Sequence, residues 1–199
     1  MKIGVDFDDI VFDFNEELAH FHNHHYGTSY CRADVQTWIL EDIWGCTRQE
    51  ATRRLQEWFK SQEHNDTRPV KGAQDAVKQL ALHHELHIIT ARPSCTKGVT
   101  PAWLDRYFPE QFAGLHMTSH FEHSARSKAD VCKELGISLL IDDGLVHARA
   151  VAATGTTVLL LDCPWNQEEA GKGIIRVYGW DDILSYIADS EIPVNNHAA

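Results

Sequence analysis

The sequence predicts an α/β protein: a three-layer, Rossmann-like parallel sheet with a small helical cap inserted after the first strand. Three observations predict it. From residue 70 onward, apolar runs alternate with helical patterns, the rhythm of successive strand–helix units. Those apolar runs show little polar alternation, so both faces of the sheet are covered, as in parallel sheets. Residues 14–68 break the rhythm, being helical and aromatic between the first strand and the second.

Residues 2–6 read as strand one. Residues 15–26 are helical in pattern, and Gly27 can end that helix with left-handed backbone. Residues 28–46 are aromatic and irregular, with Trp38 and Trp44. Thr47 and Glu50 make a capping box ahead of Leu55, Trp58 and Phe59 at helical spacing. A linker is expected at 65–69, a helix at 73–83 and a strand at 86–90. Thr100 caps the next helix, with Pro101 at its first position. A short strand at 114–118 follows, then a helix at 127–135 ending at Gly136. Strands at 138–141 and 157–161 flank a helix at 146–153, and the last helix covers 181–188. The catalytic core is therefore expected at 1–13 and 69–193, the cap at 14–68, and a loose tail at 194–199.

Composition excludes several function classes. The chain has 199 residues, 43% hydrophobic and 24% charged, as in ordinary globular domains. A net charge of −11 argues against a nucleic-acid polymer or an anionic membrane as partner. A small anionic substrate is compatible only with a local positive centre. No run approaches membrane-spanning length, and Met1 leads directly into strand one, leaving no room for a signal peptide. The five cysteines form no paired motif and read as reduced thiols of a cytoplasmic protein.

The chemistry is carried by the stretch Val5-Asp6-Phe7-Asp8-Asp9-Ile10-Val11-Phe12-Asp13. Aspartate is poor in strands, and a buried carboxylate is costly unless it is neutralised. Ligands of parallel sheets sit at the carboxyl ends of the strands. Asp6 and Asp8 end strand one, Thr90 ends the strand at 86–90, and Asp142-Asp143 ends the strand at 138–141. Lys128 opens the helix leading into that last strand, where a cation opposes the helix dipole and gains nothing locally. Each residue alone is an ordinary turn or cap; together they fall on one edge. Carboxylates so placed need a cation between them, and a few hard oxygen donors favour Mg²⁺ with room left for phosphate. Of Asp6 and Asp8, one can attack phosphorus while the other handles protons. Thr90 and Lys128 can hold the phosphate oxygens. The histidines at 20, 22, 24 and 25 read as a solvated helix rather than a zinc site.

Asp6-Phe7-Asp8, Thr90, Lys128 and Asp142-Asp143, in that order, resemble the four motifs of the haloacid dehalogenase superfamily of phosphohydrolases. The stretches Pro69-Val70-Lys71-Gly72-Ala73, Ile88-Ile89-Thr90-Ala91-Arg92-Pro93 and Pro164-Trp165-Asn166 are similar to its 5′(3′)-deoxyribonucleotidase-like branch. The resemblance implies that Asp6 forms an aspartyl-phosphate and that Asp8 is general acid and then base. It implies Mg²⁺ held by Asp6, the Asp8 backbone carbonyl and Asp143, with Asp142 behind Asp143. The implied substrate is a small phosphorylated metabolite, first a nucleoside 5′-monophosphate. Phe12, Phe14, Trp38, Ile43 and Trp44 are candidates to flank its base, or else the core of the cap. Ala91 and Arg92 stand where such nucleotidases often carry a hydroxyl residue; Arg92 either binds an anion at the mouth or braces the loop. Asp9 stands where relatives often have glycine. The alternatives are a phosphatase for a non-nucleotide such as a sugar phosphate, a non-catalytic phosphate or Mg²⁺ binder, and a receiver-like signalling domain. The order of the motifs disfavours the receiver.

Overall fold

Short runs rich in Val, Ile and Leu cannot face water on either side, and in the computed structural model they line up as one buried sheet. Residues 1–118 and 126–191 are described; the expected tail at 194–199 lies outside them. The strands are β1 (Lys2–Val5), β2 (Glu85–Thr90), β3 (Gly114–Met117), β4 (Leu139–Asp142), β5 (Thr157–Leu161) and β6 (Ile174–Val177). Their order is β3-β2-β1-β4-β5-β6, with every pairing parallel. The order reverses between β1 and β4, so the crevice expected of such a sheet opens there, outside the strands' carboxyl ends.

The helices are α1 (Phe14–Tyr26), α2 (Leu40–Trp44), α3 (Arg48–Lys60), α4 (Gln62–Asp66), α5 (Ala73–Ala81), α6 (Val99–Tyr107), α7 (Lys128–Leu135), α8 (Leu145–Ala152) and α9 (Trp180–Glu191). Period-two alternation divides the sheet's side chains between two apolar layers. Ile3, Val5, Leu139 and Ile141 join Val77, Leu80, Trp103 and Ile183 on one face. Ile89, Leu140, Val158 and Leu160 join Val131, Ala148 and Val151 on the other. Gly4 in β1 is required by this packing: a Cβ there would lie 2.9 Å from methyl groups of both Ile89 and Leu140.

Helices α1 to α4 all lie between β1 and α5. The chain departs and returns through two adjacent segments: the Asp13 N–H donates to the Arg68 carbonyl (3.3 Å), and the Val70 N–H to the Val11 carbonyl (2.9 Å). Phe14, Leu18, Phe21 and Trp58 of α1 and α3 extend the first apolar layer into this inserted segment.

Four local expectations change. The linker at 65–69 is partly helix, because Ser61 caps α4 by accepting the His64 N–H. Thr47 accepts the Glu50 N–H, but the Glu50 carboxylate turns to Arg53 and Arg54, so only half of the capping box forms. Thr100 lies inside α6, which Gly98 precedes, and its hydroxyl accepts from Arg92. Pro101 is then third in the helix, where a missing N–H still costs no helical bond. Strand β6 was not anticipated; it is a short edge strand interrupted by Arg176, whose guanidinium binds Asp162 and Asn166.

Candidate active site

The backbone brings the acidic residues together before any side chain does. The Asp6 N–H donates to the Ile141 carbonyl at 2.9 Å, continuing the β1–β4 ladder by one residue. That register sets Asp6 beside Asp142 and Asp143. Ligand oxygens of these three aspartates lie within 4.8 Å of one another, all three residues being buried. Among the described residues they are the one group of acidic, histidine or cysteine side chains so arranged.

Lys128 enters this group from the start of α7. Its Nζ lies 2.9 Å from Asp6 Oδ2 and 2.7 Å from Asp142 Oδ2, and the residue is 2% exposed. The helix start does not depend on it, since Ser127 and Asp130 form a reciprocal capping box. The second oxygen of Asp142 accepts the Gly144 N–H at 2.8 Å. Asp143 Oδ2 accepts from the Trp165 indole at 2.7 Å, and the Asp143 carbonyl from the Asn166 amide at 2.8 Å. Both oxygens of Asp142 are thus engaged by protein donors, while Asp143 keeps one free. Asp6 Oδ1 is buried without a hydrogen-bond partner.

Electrostatics mark the same atoms. Burial drives the Asp6 carboxyl up to about 7 despite the opposing pull of Lys128, and Asp142 and Asp8 push the same way. Burial, then Asp6, Asp9 and Asp142, raise Asp143 well above the carboxylate range. Burial works against the Lys128 charge, but Asp142 and Asp6 outweigh it and hold the ammonium above the usual lysine range. One ammonium thus faces three buried carboxylates. The residues fit a small hard cation: the donors are carboxylate oxygens, one of them orphaned, and the negative charge is in excess.

Asp8 stands apart from the trio. Arg92 Nε lies 3.1 and 3.2 Å from its two oxygens. Burial raises the Asp8 carboxyl, and Arg92 opposes that rise. The Arg92 guanidinium is 4.4 Å from the ring centroids of both Phe7 and Phe12. It also donates to Thr100 Oγ1 and meets His64 Nε2, each at 2.9 Å. Thr90 ends β2 with a buried hydroxyl that accepts the Arg92 N–H at 3.2 Å.

Asp9 answers for the place where glycine was expected. Its φ is +58°, the left-handed region that aspartate tolerates better than most residues. Its carboxylate accepts the Asn15 backbone N–H (3.2 Å) and side-chain amide (2.6 Å), which serves the first turn of α1. The flanking position Asp13 makes no such bond.

Several expected substrate contacts are not available in this geometry. Phe12 is wholly buried against Phe7, Trp58 and Trp103. Trp44 is 8% exposed and stacks on His22 at 4.3 Å, so it belongs to the interior of the inserted segment. Arg92 is an internal brace, with its side chain 1% exposed, rather than an anion ligand at the mouth. Trp38 is 48% exposed and leans on Trp165, while Ala91 is half-buried beside Thr90. His20, His24 and His25 are exposed as expected, but His22 is buried, because its ring is enclosed by Tyr26, Tyr30 and Trp44.

Sequence reasoning missed three participants. Trp165 was noted only as part of a family-like stretch; its indole supports Asp143, which stands far from it in the chain. Arg32, in a 3-10 turn of the inserted segment, places its guanidinium 5.2 Å from the Trp165 ring and its Nε 3.6 Å from Asp9. His64 on α4 completes the cage around Arg92. None carries a local sequence signal.

A family model described as 5′ nucleotidase, deoxy (pyrimidine), cytosolic type C protein matches residues 1–191. The chain belongs to that family. It is a nucleotidase-like phosphohydrolase of the haloacid dehalogenase superfamily. A provisionally named nucleotidase of Oceanobacillus iheyensis is 25% identical over 194 residues, covering 92% of this chain and 97% of that protein. A haloacid dehalogenase-like hydrolase of Streptococcus pneumoniae shares the fold at a TM-score of 0.68 and 14% identity, covering 94% of this chain and 97% of that one. A provisionally named HAD-hydrolase of Bacillus subtilis, bound to magnesium, superposes at 0.65 with 12% identity, covering 94% and 98%. In this nucleotidase-like hydrolase no helix among the described residues is long and apolar enough to cross a membrane.

Proposed function

We propose that the protein is a Mg²⁺-dependent phosphomonoesterase that works through an aspartyl-phosphate and acts on nucleoside 5′-monophosphates. The observation that carries this reading is the orphaned Asp6 Oδ1, buried beside two further carboxylates and one ammonium. An oxygen in that state is placed for bond formation rather than for stability. Asp6, Asp143 and the Asp8 carbonyl would hold Mg²⁺, with Asp142 orienting Lys128 behind them. When bound, Mg²⁺ offsets the negative charge gathered between nucleophile and phosphate.

Asp6 attacks phosphorus, the bond to the leaving oxygen breaks, and Asp8 gives that oxygen its proton. Asp8, now a carboxylate, takes a proton from water as that water attacks the aspartyl-phosphate; Asp6 and orthophosphate are released. Lys128 and the Thr90 hydroxyl hold the phosphoryl oxygens. We read residues 1–13 and 69–193 as the catalytic core and 14–68 as a cap that excludes water from it. The paired departure and return of the chain at 11–13 and 68–70 supports that division. The family description supports a pyrimidine deoxynucleotide as first candidate, and exposed Trp38 on Trp165 is the aromatic surface available to a base.

Phosphate release from a panel of nucleoside monophosphates and sugar phosphates tests the reading. Mg²⁺-dependent turnover led by deoxynucleotides is expected, abolished by chelator and not restored by zinc. Undiminished turnover in excess chelator would overturn the metal assignment, and a preference for sugar phosphates would overturn the substrate.

A further inference from the structure

Arg92 has the surroundings of a built-in fixture. A guanidinium presents a planar fork of donors, and each arm here has a fixed partner. Nε meets both oxygens of Asp8, Nη1 meets the Thr100 hydroxyl, and Nη2 meets His64 Nε2. Phe7 and Phe12 face the plane at 4.4 Å each. These partners come from the segment after β1, from α4 and from α6, so the fork cannot swing without disturbing three parts of the chain. The backbone N–H of the same residue donates to the Thr90 hydroxyl. Among the described residues no other group hydrogen-bonds the Asp8 carboxylate. A substrate-binding arginine would keep donors free toward the crevice, and this one spends its fork inside the protein.

We propose that Arg92 is a positioning residue that sets the location of the Asp8 carboxyl for both proton transfers, with His64 and Thr100 as its anchors. The inference rests on the reading of Asp8 as general acid and base. Its physical content is that a general acid must sit within hydrogen-bond reach of the leaving oxygen. A carboxylate three residues beyond the end of β1 has freedom to miss that point, and Arg92 removes the freedom. His64 belongs to the inserted helices, so the same fork ties Asp8 to the place where they rejoin the core.

A double-variant cycle tests this, using the intact chain with Mg²⁺. Turnover is measured for Arg92→Ala, Arg92→Lys, Asp8→Asn and the combined variants, with p-nitrophenyl phosphate and with an alkyl phosphomonoester. The activated ester needs little protonation and the alkyl ester needs much. Arg92→Ala is expected to lower kcat on the order of 10²-fold with the alkyl ester, about what general acid help is worth, and several-fold less with the activated one, with KM nearly unchanged. Added guanidinium should restore part of the loss. In the Asp8→Asn background, either Arg92 change should add nothing further. Should Arg92→Ala not fold, Arg92→Lys completes the same cycle, since it keeps a charge but loses the fork. Equal losses on both esters, full additivity with Asp8→Asn, or a loss confined to KM would each overturn the inference. If Asp8→Asn itself shows no dependence on leaving group, the reading of Asp8 fails and this inference falls with it. If Asp8→Asn shows that dependence and Arg92→Ala does not, the inference alone fails.

Discussion

Two clusters of charge in this protein obey opposite rules. On α3, Glu50 and Glu57 pair with Arg53 and Arg54 in the open, with Tyr26 alongside. Opposite charges are equal in number there, and water supplies whatever the geometry lacks. At the edge between β1 and β4, Asp6, Asp142 and Asp143 cluster around the ammonium of Lys128, which among the described residues is the one cation in direct contact with them, bridging Asp6 and Asp142, and all are buried. The first cluster is inexpensive and contributes little. The second is an imbalance that no folding argument favours, because an uncompensated buried carboxylate costs several kcal/mol. Hydrogen bonds are therefore a poor guide to function in this chain. Both clusters are rich in hydrogen bonds, and the informative atom is the one in Asp6 that has none.

The comparison can be broken at either end. The largest effect is expected at Asp6. Asp6→Asn removes the nucleophile, and activity should fall on the order of 10⁴-fold or more. Removing an excess buried charge should leave the metal-free melting temperature equal or higher. A variant that melts much earlier would mean that Asp6 is chiefly structural.

Next comes Lys128. Its place against the helix dipole suggested from sequence that its loss would be cheap, but its ammonium bridges Asp6 and Asp142. Lys128→Ala should cost roughly 10²–10³-fold in kcat. It should also cost about 3–5 kcal/mol of stability without Mg²⁺, because two buried carboxylates lose their partner. Denaturant unfolding with and without Mg²⁺ checks this, and a normal metal-free stability would contradict it.

A smaller effect belongs to His22, buried in the inserted segment. Burial, then Arg54, lowers its pKa from 6.5 to about 4. The unfolded chain therefore binds a proton that the folded chain refuses between those values. Stability is full above about pH 6.5 and falls as pH drops from 6.5 toward 4. Melting of wild type against His22→Gln across that window should show a steeper decline in the wild type; parallel curves would remove His22 as the cause. The smallest effect is expected on α3, where Arg53→Ala should leave both turnover and the melting midpoint where they were. A clear loss in either would mean that exposure is the wrong criterion for separating the two clusters.

How much of this was legible in the sequence follows from where the partners lie. Asp6, Thr90, Lys128 and Asp142-Asp143 could be found because a parallel sheet assigns strand ends to one edge, whatever their separation in the chain. The preference for Asp143 over Asp142 at the cation came from the family resemblance, and both Asp142 oxygens accept from protein donors. The order of the strands was not read from the sequence, because alternation alone does not say which strands are neighbours. Trp165 on Asp143, and His64 and Thr100 on Arg92, were not legible, because each is a tertiary contact between segments with no shared pattern. Phe12 and Trp44 were read as possible base-flanking rings, although an aromatic beside a site is as often part of the core that supports it. Strand β6 escaped because Arg176 interrupts so short an apolar run.

The central claim is that the unpartnered Asp6 oxygen forms a bond to phosphorus and that Asp8 manages protons around it. Acid-quench trapping of protein-bound phosphate tests it most directly, using labelled p-nitrophenyl phosphate with Mg²⁺ and the wild type, Asp6→Asn and Asp8→Asn. The account predicts a transient, hydroxylamine-labile label in the wild type, none in Asp6→Asn, and a label that accumulates after a burst in Asp8→Asn. Turnover without label in both the wild type and Asp8→Asn, or label retained in Asp6→Asn, would contradict it.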